Sequence, residues 1–280
     1  MMRGMFAAIS GLKQHQVMLD VTANDIANVN TIGYKSSRMT FADSLNQLQR
    51  GAAGPTNTTG GSNAAQVGLG VGLGSIDNLM TDGATQTTGN PLDVAIQGSG
   101  FFQIGVGAPT DANPEITPTM YTRAGNFTIN SEGYLTTQTG QFVLGWAMPA
   151  TAGPEIAIKL PEGATSVAID QSGGVSYIDK TTGLRTTAAR LTLATFSNAA
   201  GLERTGGNMW VTSANSGLKS ANTPGQEGLG ITQAGAVEMS NVDLSQTFTN
   251  MITAQRGFQA NSRVISTADE MLQDLVNMKR

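Results

Sequence analysis

The sequence contains no cysteine and a single histidine, His15, in 280 residues. Without cysteine the chain can form no disulfide, no thiolate nucleophile and no cysteine-ligated zinc site. A Ser-His-Asp triad could use only His15 as its base. The helical pattern described below places His15 on the polar side of a helix, where we expect it to be solvated or to contact another subunit. We therefore predict that the protein is not an enzyme, with no catalytic residue, metal ligand or cofactor.

Charged residues and long apolar runs are also scarce. Charged residues make up 13% of the chain and its net charge is −4. No basic stripe is present, which argues against nucleic acid and anionic membranes as partners. No stretch approaches the ~20 apolar residues of a membrane span, so we expect no membrane insertion. The first residues briefly resemble a signal peptide, but polar residues follow from Lys13, so we expect a mature amphipathic helix. If the protein is exported, we expect a route that uses no cleaved signal peptide.

Glycine, by contrast, is abundant, with 35 residues. Together with many uncharged polar residues it suits β structure and packing against identical neighbours. Alternating glycines occur at Gly68, Gly70, Gly72 and Gly74. No Gly-Lys-Ser/Thr follows them and their spacing differs from that of nucleotide-binding loops. We interpret this stretch as a flexible, extended connector.

Both ends of the chain carry apolar residues at the alternating four- and three-residue spacing of a heptad seam. The N-terminal seam consists of Met5, Ile9, Leu12, Leu19 and Ile26, with Gln16 and Ala23 between them. The C-terminal seam consists of Leu244, Phe248, Met251, Phe258, Ile265 and Leu272, beside a second apolar stripe that includes Leu275. No proline interrupts either stretch, so we predict helices roughly 40 and 55 Å long. Asn241 or Asp243 could cap the second helix.

Strand and turn signals fill the centre of the chain. Strand candidates are residues 92–96, 101–104, 121–126, 127–129, 134–137, 142–147, 191–196 and 209–212. Gly98 and Gly100 indicate a hairpin or corner between the first two. With helices at the ends and strands between them, we predict an α+β fold.

Four segments carry a family resemblance. Residues 10–35 contain an N-terminal signature that ends in TANDIANVNTIGYK. In the centre, residues 92–96 read LDVAI before Gly98, Gly100 and two phenylalanines, and residues 121–127 read YTRAGNF. Near the end, residues 240–244 read SNVDL and residues 251–261 read MITAQRGFQAN. Together these segments resemble the signatures of the bacterial flagellar rod and hook protein family.

The resemblance implies a discontinuous domain layout. The paired terminal helices would form a coiled-coil-like inner domain around a channel, with a mainly-β outer domain built from both halves of the chain. The expected boundaries are 1–30 and 240–280 for the helical domain, 31–75 for the connector, 76–148 and 186–239 for the β-rich domain, and 149–185 for a small β insertion.

The resemblance also implies partners and a location. The partners would be identical subunits in a helical homo-polymer, other flagellar axial proteins (distal rod, hook cap and hook–filament junction) and the flagellar type III export apparatus. The protein would lie outside the cell, in the flagellar hook or basal body.

Two members of the family fit the chain. Residues 81–89 and 66–70 resemble the hook more than the distal rod, and the chain length resembles that of short hook proteins. We therefore expect a hook subunit that polymerises into a hollow, flexible tube and transmits motor torque to the filament. The alternative is the distal rod, a straight shaft, which a dedicated insertion before residue 81 would favour. We recognise no such insertion in the sequence.

The narrow seams indicate how such a tube would form. A narrow apolar seam needs a helical partner, and identical subunits that meet head to tail form an open helix. We hypothesise a channel lined by polar side chains such as Gln14, Gln16, Gln255, Asn261 and Ser262. A helical hairpin buried within one monomer remains open as an alternative, as do an extracellular sugar-binding protein and a glycosidase. The sugar-binding protein would not explain the heptads, and no close acidic pair supports the glycosidase.

Overall fold

The computed structural model describes residues 2–55, 60–107, 109, 120–148, 153–161, 163–180 and 183–278. The chain folds into two compact units. Unit 1 contains the chain up to Ala27, Ser37–Asp77 and the chain from Asp243 onward, whereas unit 2 contains Asn28–Ser36 and Asn78–Val242. The polypeptide therefore passes between the units four times, after Ala27, Ser36, Asp77 and Val242.

Unit 1 consists of two long helices and two β ladders. Helix α1 spans Met2–Ala27 and helix α2 spans Leu244–Asn277, which corresponds to roughly 39 and 51 Å. The strands are β1 (Ser37–Asp43), β2 (Asn46–Arg50), β3 (Ala65–Gly68) and β4 (Val71–Asn78). Strand β1 pairs with β4, and β2 pairs antiparallel with β3.

The helix ends agree with their sequence signals. The Asp243 carboxylate caps α2 by accepting hydrogen bonds from the N–H groups of Ser245 at 2.8 Å and Gln246 at 3.1 Å. After α1 the chain turns, and Gly33 adopts a φ of +69°, a conformation that glycine tolerates best.

Unit 2 is almost entirely β. Its strands are β5 (Thr85–Thr87), β6 (Val94–Gln97), β7 (Phe101–Gly105), β8 (Met120–Thr122), β9 (Phe127–Ile129), β10 (Leu135–Thr137), β11 (Phe142–Ala147), β12 (Ile156–Ala157), β13 (Thr165–Ile169), β14 (Gly174–Ile178), β15 (Arg185–Leu191), β16 (Leu193–Phe196), β17 (Glu203–Gly206), β18 (Met209–Val211), β19 (Lys219–Asn222), β20 (Ile231–Ala234) and β21 (Ala236–Glu238). A short 3-10 helix spans Ala199–Gly201. With the two terminal helices of unit 1, these strands confirm the predicted α+β fold.

One large sheet organises unit 2. Its main path runs β13-β14-β15-β11-β7-β8-β18-β17, and β9, β10, β12, β16 and β19 branch from it. Two small ladders, β6 with β20 and β5 with β21, complete the unit. Because β6 and β7 lie in different ladders, the Gly98–Gly100 segment is a corner, with φ angles of +103° and +138° at its two glycines.

The core of unit 2 lies around β6 and β7. Val94, Ile96 and Phe102 are buried there, and the Phe102 and Phe127 rings meet edge to face at 5.0 Å. Such aromatic pairs stabilise a core beyond the burial of their area. At Gly125 a Cβ atom would collide with the carbonyl oxygen of Val94, which explains the glycine in the YTRAGNF segment.

The predicted domain boundaries stay a prediction. In the structure, the described part of residues 37–77, which does not include 56–59, supplies the strands of unit 1. From residue 153 onward, the described part of segment 149–185 supplies strands of the large sheet. Its residues 149–152, 162 and 181–182 lie outside the described residues.

Candidate assembly surface

The two terminal helices pack antiparallel and come very close at two glycines. A Cβ atom on Gly11 would lie 2.8 Å from the side-chain nitrogen of Asn261, and one on Gly257 would lie 2.8 Å from Nδ1 of His15. His15 lies four residues after Gly11 on α1, whereas its partner Gly257 lies four residues before Asn261 on α2, so the two helices run antiparallel. Glycine at these positions permits the close approach.

The fully buried residues of the two helices are small or polar. They are Ala8, Gly11, Thr22 and Asp25 on α1 and Thr247, Ala254 and Ala268 on α2. The sequence placed Ala254, Asn261 and Ala268, which follow a seven-residue repeat, in the second apolar stripe of the C-terminal helix. The other buried residues were not part of either predicted seam.

The predicted seam residues lie at the margins of the helix contact. Half-buried positions are Met5, Leu12, Leu19, Ile26, Met251, Phe258, Ile265 and Leu272. Exposed positions are Ile9, Leu244, Phe248 and Leu275. The role of these residues in polymerisation stays a prediction. Of the hypothesised channel residues, Asn261 packs against Gly11.

Each helix exposes large apolar side chains on a face that the other helix leaves uncovered. On α1, Met2, Phe6 and Ile9 follow a four- and three-residue spacing, and Phe6 is 60% exposed. On α2, Leu244, Phe248 and Ile252 are spaced by four residues, and Phe248 is 49% exposed. Exposed apolar patches commonly mark interaction sites. In the antiparallel register the two triplets lie toward opposite ends of the helix pair, and we call these six residues together the helix face.

The strands of unit 1 and the turns between them add further exposed apolar residues. They are Phe41, Leu45, Leu48, Val67, Leu69, Leu73 and Ile76. Leu48 and Val67 belong to the β2–β3 hairpin, in which every residue of both strands is exposed. An isolated two-stranded hairpin is marginally stable in water, so this element would gain stability from a partner.

The alternating glycines lie in or next to these strands. Gly68 ends β3, and Gly72 and Gly74 lie in β4. Gly70 has a φ of +124° and faces Ser10 of α1. The Ser10 hydroxyl accepts a hydrogen bond from the N–H of Val71 at 3.2 Å. The predicted flexibility of this stretch stays a prediction.

His15, which we expected to be solvated or to contact another subunit, is half-buried within the single chain. Its ring lies 5.4 Å from that of Phe41, tilted by 58°, and faces Gly257. Its Nδ1 atom finds no hydrogen-bond partner among the described residues. The polar side of α1 in the heptad pattern is therefore partly covered by α2 and β1 within unit 1.

Unit 2 contains a groove of about 320 Å³ with a polar lining. Amide and hydroxyl side chains such as Asn30, Thr122, Asn126 and Gln138 line it, together with apolar residues such as Ile104. Within the described ranges, no three histidine, aspartate or glutamate side chains come together where they could hold a metal ion. Nor does any helix in the described part have the length and apolar character to span a membrane.

Sequence models of three protein families match the chain. Residues 5–35 match "Flagella basal body rod protein", residues 95–177 match "Flagellar hook protein FlgE/F/G D1 domain", and residues 233–278 match "Flagellar basal body rod FlgEFG protein C-terminal". The three matches cover the terminal helices and much of the β-rich unit.

Several curated proteins are similar over the full chain. The flagellar basal-body rod protein FlgG of Bacillus subtilis is 45% identical over 281 residues, covering 100% of both chains. FlgG of Borreliella burgdorferi is 36% identical over 281 residues, again covering 100% of both chains. The flagellar hook protein FlgE of the same organism is 27% identical over 442 residues, also covering 100% of both chains. More than a third of that last alignment therefore has no counterpart in the present chain.

Proposed function

Because the chain belongs to the flagellar rod and hook protein family, whose members are structural proteins, we propose that it is the distal subunit of the flagellar basal-body rod. The observation that carries this proposal is the end-to-end similarity to rod proteins of nearly the same length. As a member of this family the chain is part of the flagellum and serves motility.

The prediction of a hook subunit is wrong. Within one organism the rod protein is 36% identical to the chain and the hook protein 27%. Thr81–Gly89 and the short length favoured the hook in the sequence, but the family shares its motifs between rod and hook members. Contacts with the hook cap and the hook–filament junction, expected for a hook subunit, are therefore not proposed.

The uncovered helix face supports assembly into a helical polymer. Phe6 and Phe248 are large apolar side chains that are about half exposed in the single chain. Burial of such a side chain contributes roughly 1.5–3 kcal/mol. Non-identical surfaces that meet head to tail generate an open helix, and the subunits would form a hollow, straight shaft in this way.

The route and the neighbours of the subunit follow from the same proposal. The chain would travel through the flagellar type III export apparatus and join other axial proteins outside the cytoplasm. Along the shaft its principal partner would be another copy of itself.

Electron cryotomography of flagellar basal bodies tests the proposal. Cells without this chain should build a rod that stops short and should carry no hook. If the chain were the hook, the complete rod would remain and only the hook would be missing. Expression of the wild-type chain should restore the full rod.

Substitutions on the helix face connect this test to the structure. Phe6→Ser with Phe248→Ser should fail to restore the rod, because both changes remove apolar surface that neighbouring copies would cover. Leu218→Ser, at a position 91% exposed in unit 2, is the matched control and should restore it. Rod assembly by the double variant would contradict the assignment of this face.

A further inference from the structure

In unit 2, three stretches of the chain meet around one buried carboxylate. Glu238 is only 1% exposed. Its Oε1 atom accepts hydrogen bonds from Lys35 Nζ at 2.6 Å and from the N–H of Gly83 at 3.0 Å. Its Oε2 atom accepts one from Arg123 at 3.1 Å. The side chains of Lys35 and Arg123 are also buried.

Asn241 links two of these stretches, those of Lys35 and Gly83, to the stretch of Glu238 a second time. Its Oδ1 accepts a hydrogen bond from the N–H of Ser36 at 2.7 Å. Its Nδ2 donates to the carbonyl oxygens of Leu79 at 2.9 Å and Thr81 at 3.2 Å. Lys35 Nζ also donates to the Thr81 carbonyl, at 2.7 Å. We call Lys35, Arg123, Glu238 and Asn241 the junction cluster.

Three of the four stretches joined by this cluster, all except that of Arg123, are those in which the chain leaves or enters unit 2. It leaves after Ser36, returns after Asp77 and leaves again after Val242. Ser36, Leu79 and Asn241 therefore lie within two residues of these crossings. Three of the four covalent connections to unit 1 start from a single hydrogen-bonded network.

Burial makes the junction cluster resistant to opening. Removal of Lys35 would deprive both the Glu238 carboxylate and the Thr81 carbonyl oxygen of a hydrogen-bond donor, and a buried acceptor that loses its donor costs free energy. Burial lowers the pKa of Lys35, and the Glu238 carboxylate opposes that lowering. Arg123 is held further by the carbonyl oxygen of Gly98 at 2.8 Å.

We infer that Lys35, Glu238 and Asn241 are positioning residues that hold three of the chain connections between the units together in one network. Force that arrives through one of these connections is then shared with the other two. The mechanical part of this inference rests on the proposed role as a rod subunit, since a shaft must pass torque through every subunit. The fastening itself is a property of the single chain.

Hydrogen exchange of the purified full-length protein, followed by mass spectrometry, tests the fastening. In Lys35→Met, exchange should accelerate at least ten-fold in all three segments, 33–36, 79–83 and 238–241. Phe101–Gly105 in the core should stay protected. The matched control is Lys219→Met, which removes a Lys–Glu pair of 2.5 Å with Glu155 elsewhere in unit 2; it should leave the three segments unchanged.

Acceleration confined to residues 33–36, or none at all, would overturn the fastening. If Lys35→Met unfolds all of unit 2, Asn241→Ala decides by the same criterion, because it removes hydrogen bonds but no charge. Unchanged protection in all three segments of that variant would equally refute it.

The mechanical part is tested by motor rotation of tethered cells. Asn241→Ala should reduce rotation under high viscous load and leave it normal at low load, whereas Lys219→Met should behave as wild type. Local opening without any loss under load would overturn the sharing of force. A failure of the rod assignment would show separately, as a complete rod in the deletion strain.

Discussion

Tyr121 combines burial with a neighbouring negative charge. It lies in β8, is 4% exposed and meets the ring of Phe196 edge to face at 4.8 Å. Burial raises the pKa of its hydroxyl to about 12, and the charge of Glu155 adds to the increase. The folded protein therefore holds this proton more tightly than the unfolded chain does.

This shift predicts a loss of stability at alkaline pH. Between pH 10 and 12 the unfolded state loses the Tyr121 proton while the folded state keeps it, so the free energy of unfolding falls as pH rises. The fall should amount to roughly 2 kcal/mol. Urea unfolding of the wild type and of Tyr121→Phe measures it by difference.

Below pH 9 the free energies of unfolding of the wild type and of Tyr121→Phe should change with pH in parallel, since Tyr121 keeps its proton in both the folded and the unfolded state. Above pH 10 only the wild type should show the additional fall. Identical pH profiles for the two proteins would contradict the raised pKa.

Two of the three glycines in the terminal helices that we compare lie against the partner helix, and the third does not. Gly11 and Gly257 face the partner helix closely, whereas a Cβ atom on Gly4 would meet no atom within 4 Å. Interior helical glycine costs roughly 1 kcal/mol relative to alanine. At Gly257 this cost is offset by the close approach of His15.

Gly257→Ala should therefore destabilise the helix pair. The added methyl group would collide with the His15 imidazole ring, and such overpacking costs about 1–3 kcal/mol. Gly4→Ala is the matched control and should stabilise α1 by about 1 kcal/mol. Thermal unfolding followed by circular dichroism at the helical band measures both changes.

A second variant separates collision from altered backbone propensity. Gly257→Ala with His15→Ala should recover most of the lost stability, because the ring that the methyl group strikes is gone. A double variant as unstable as Gly257→Ala alone would argue against the close contact.

The helices and the central strands could be predicted from the sequence. Heptad spacing locates α1 and α2, and Phe127–Ile129 and Phe142–Ala147 coincide with predicted strands. The strands of residues 37–77 were missed because glycine and exposed polar residues weaken their alternation. The ion pair between Lys35 and Glu238 could not be predicted from the sequence, since no local pattern connects two charged residues that are 203 positions apart.

The two units divide the first 36 residues between them. Helix α1 belongs to unit 1, whereas Asn28–Ser36 belongs to unit 2. Within unit 2 this segment is bound by the junction cluster and by Arg204, whose guanidinium lies 4.9 Å from both the Tyr34 and Trp210 ring centres. Cation–π contacts of this kind contribute roughly 0.5–2 kcal/mol each.

Two truncations should consequently behave differently. Deletion of residues 2–27 removes α1 and should leave unit 2 folded, in a protein that no longer assembles. Deletion of residues 2–36 also removes Lys35, one of the two cations that contact Glu238, so unit 2 should lose about 1–3 kcal/mol. Urea unfolding followed by fluorescence of Trp146 and Trp210, both in unit 2, compares the two.

Equal stability of unit 2 in both truncations would show that Asn28–Ser36 contributes nothing to it. Unfolding of unit 2 by the shorter deletion would show that it requires α1.

The choice between rod and hook could not be made from the motifs of a single sequence. Motifs such as LDVAI and YTRAGNF place buried residues in the core of unit 2, and we matched them to the rod and hook family as a whole. Comparison over the whole chain separated the two members instead.

Helix α2, the partner of α1, is synthesised after the other elements, since it begins only at Leu244. A product released by a ribosome that stalls before that codon would keep only the strands of unit 1 against its first helix. We expect proteases and chaperones that bind exposed apolar helices to remove such fragments.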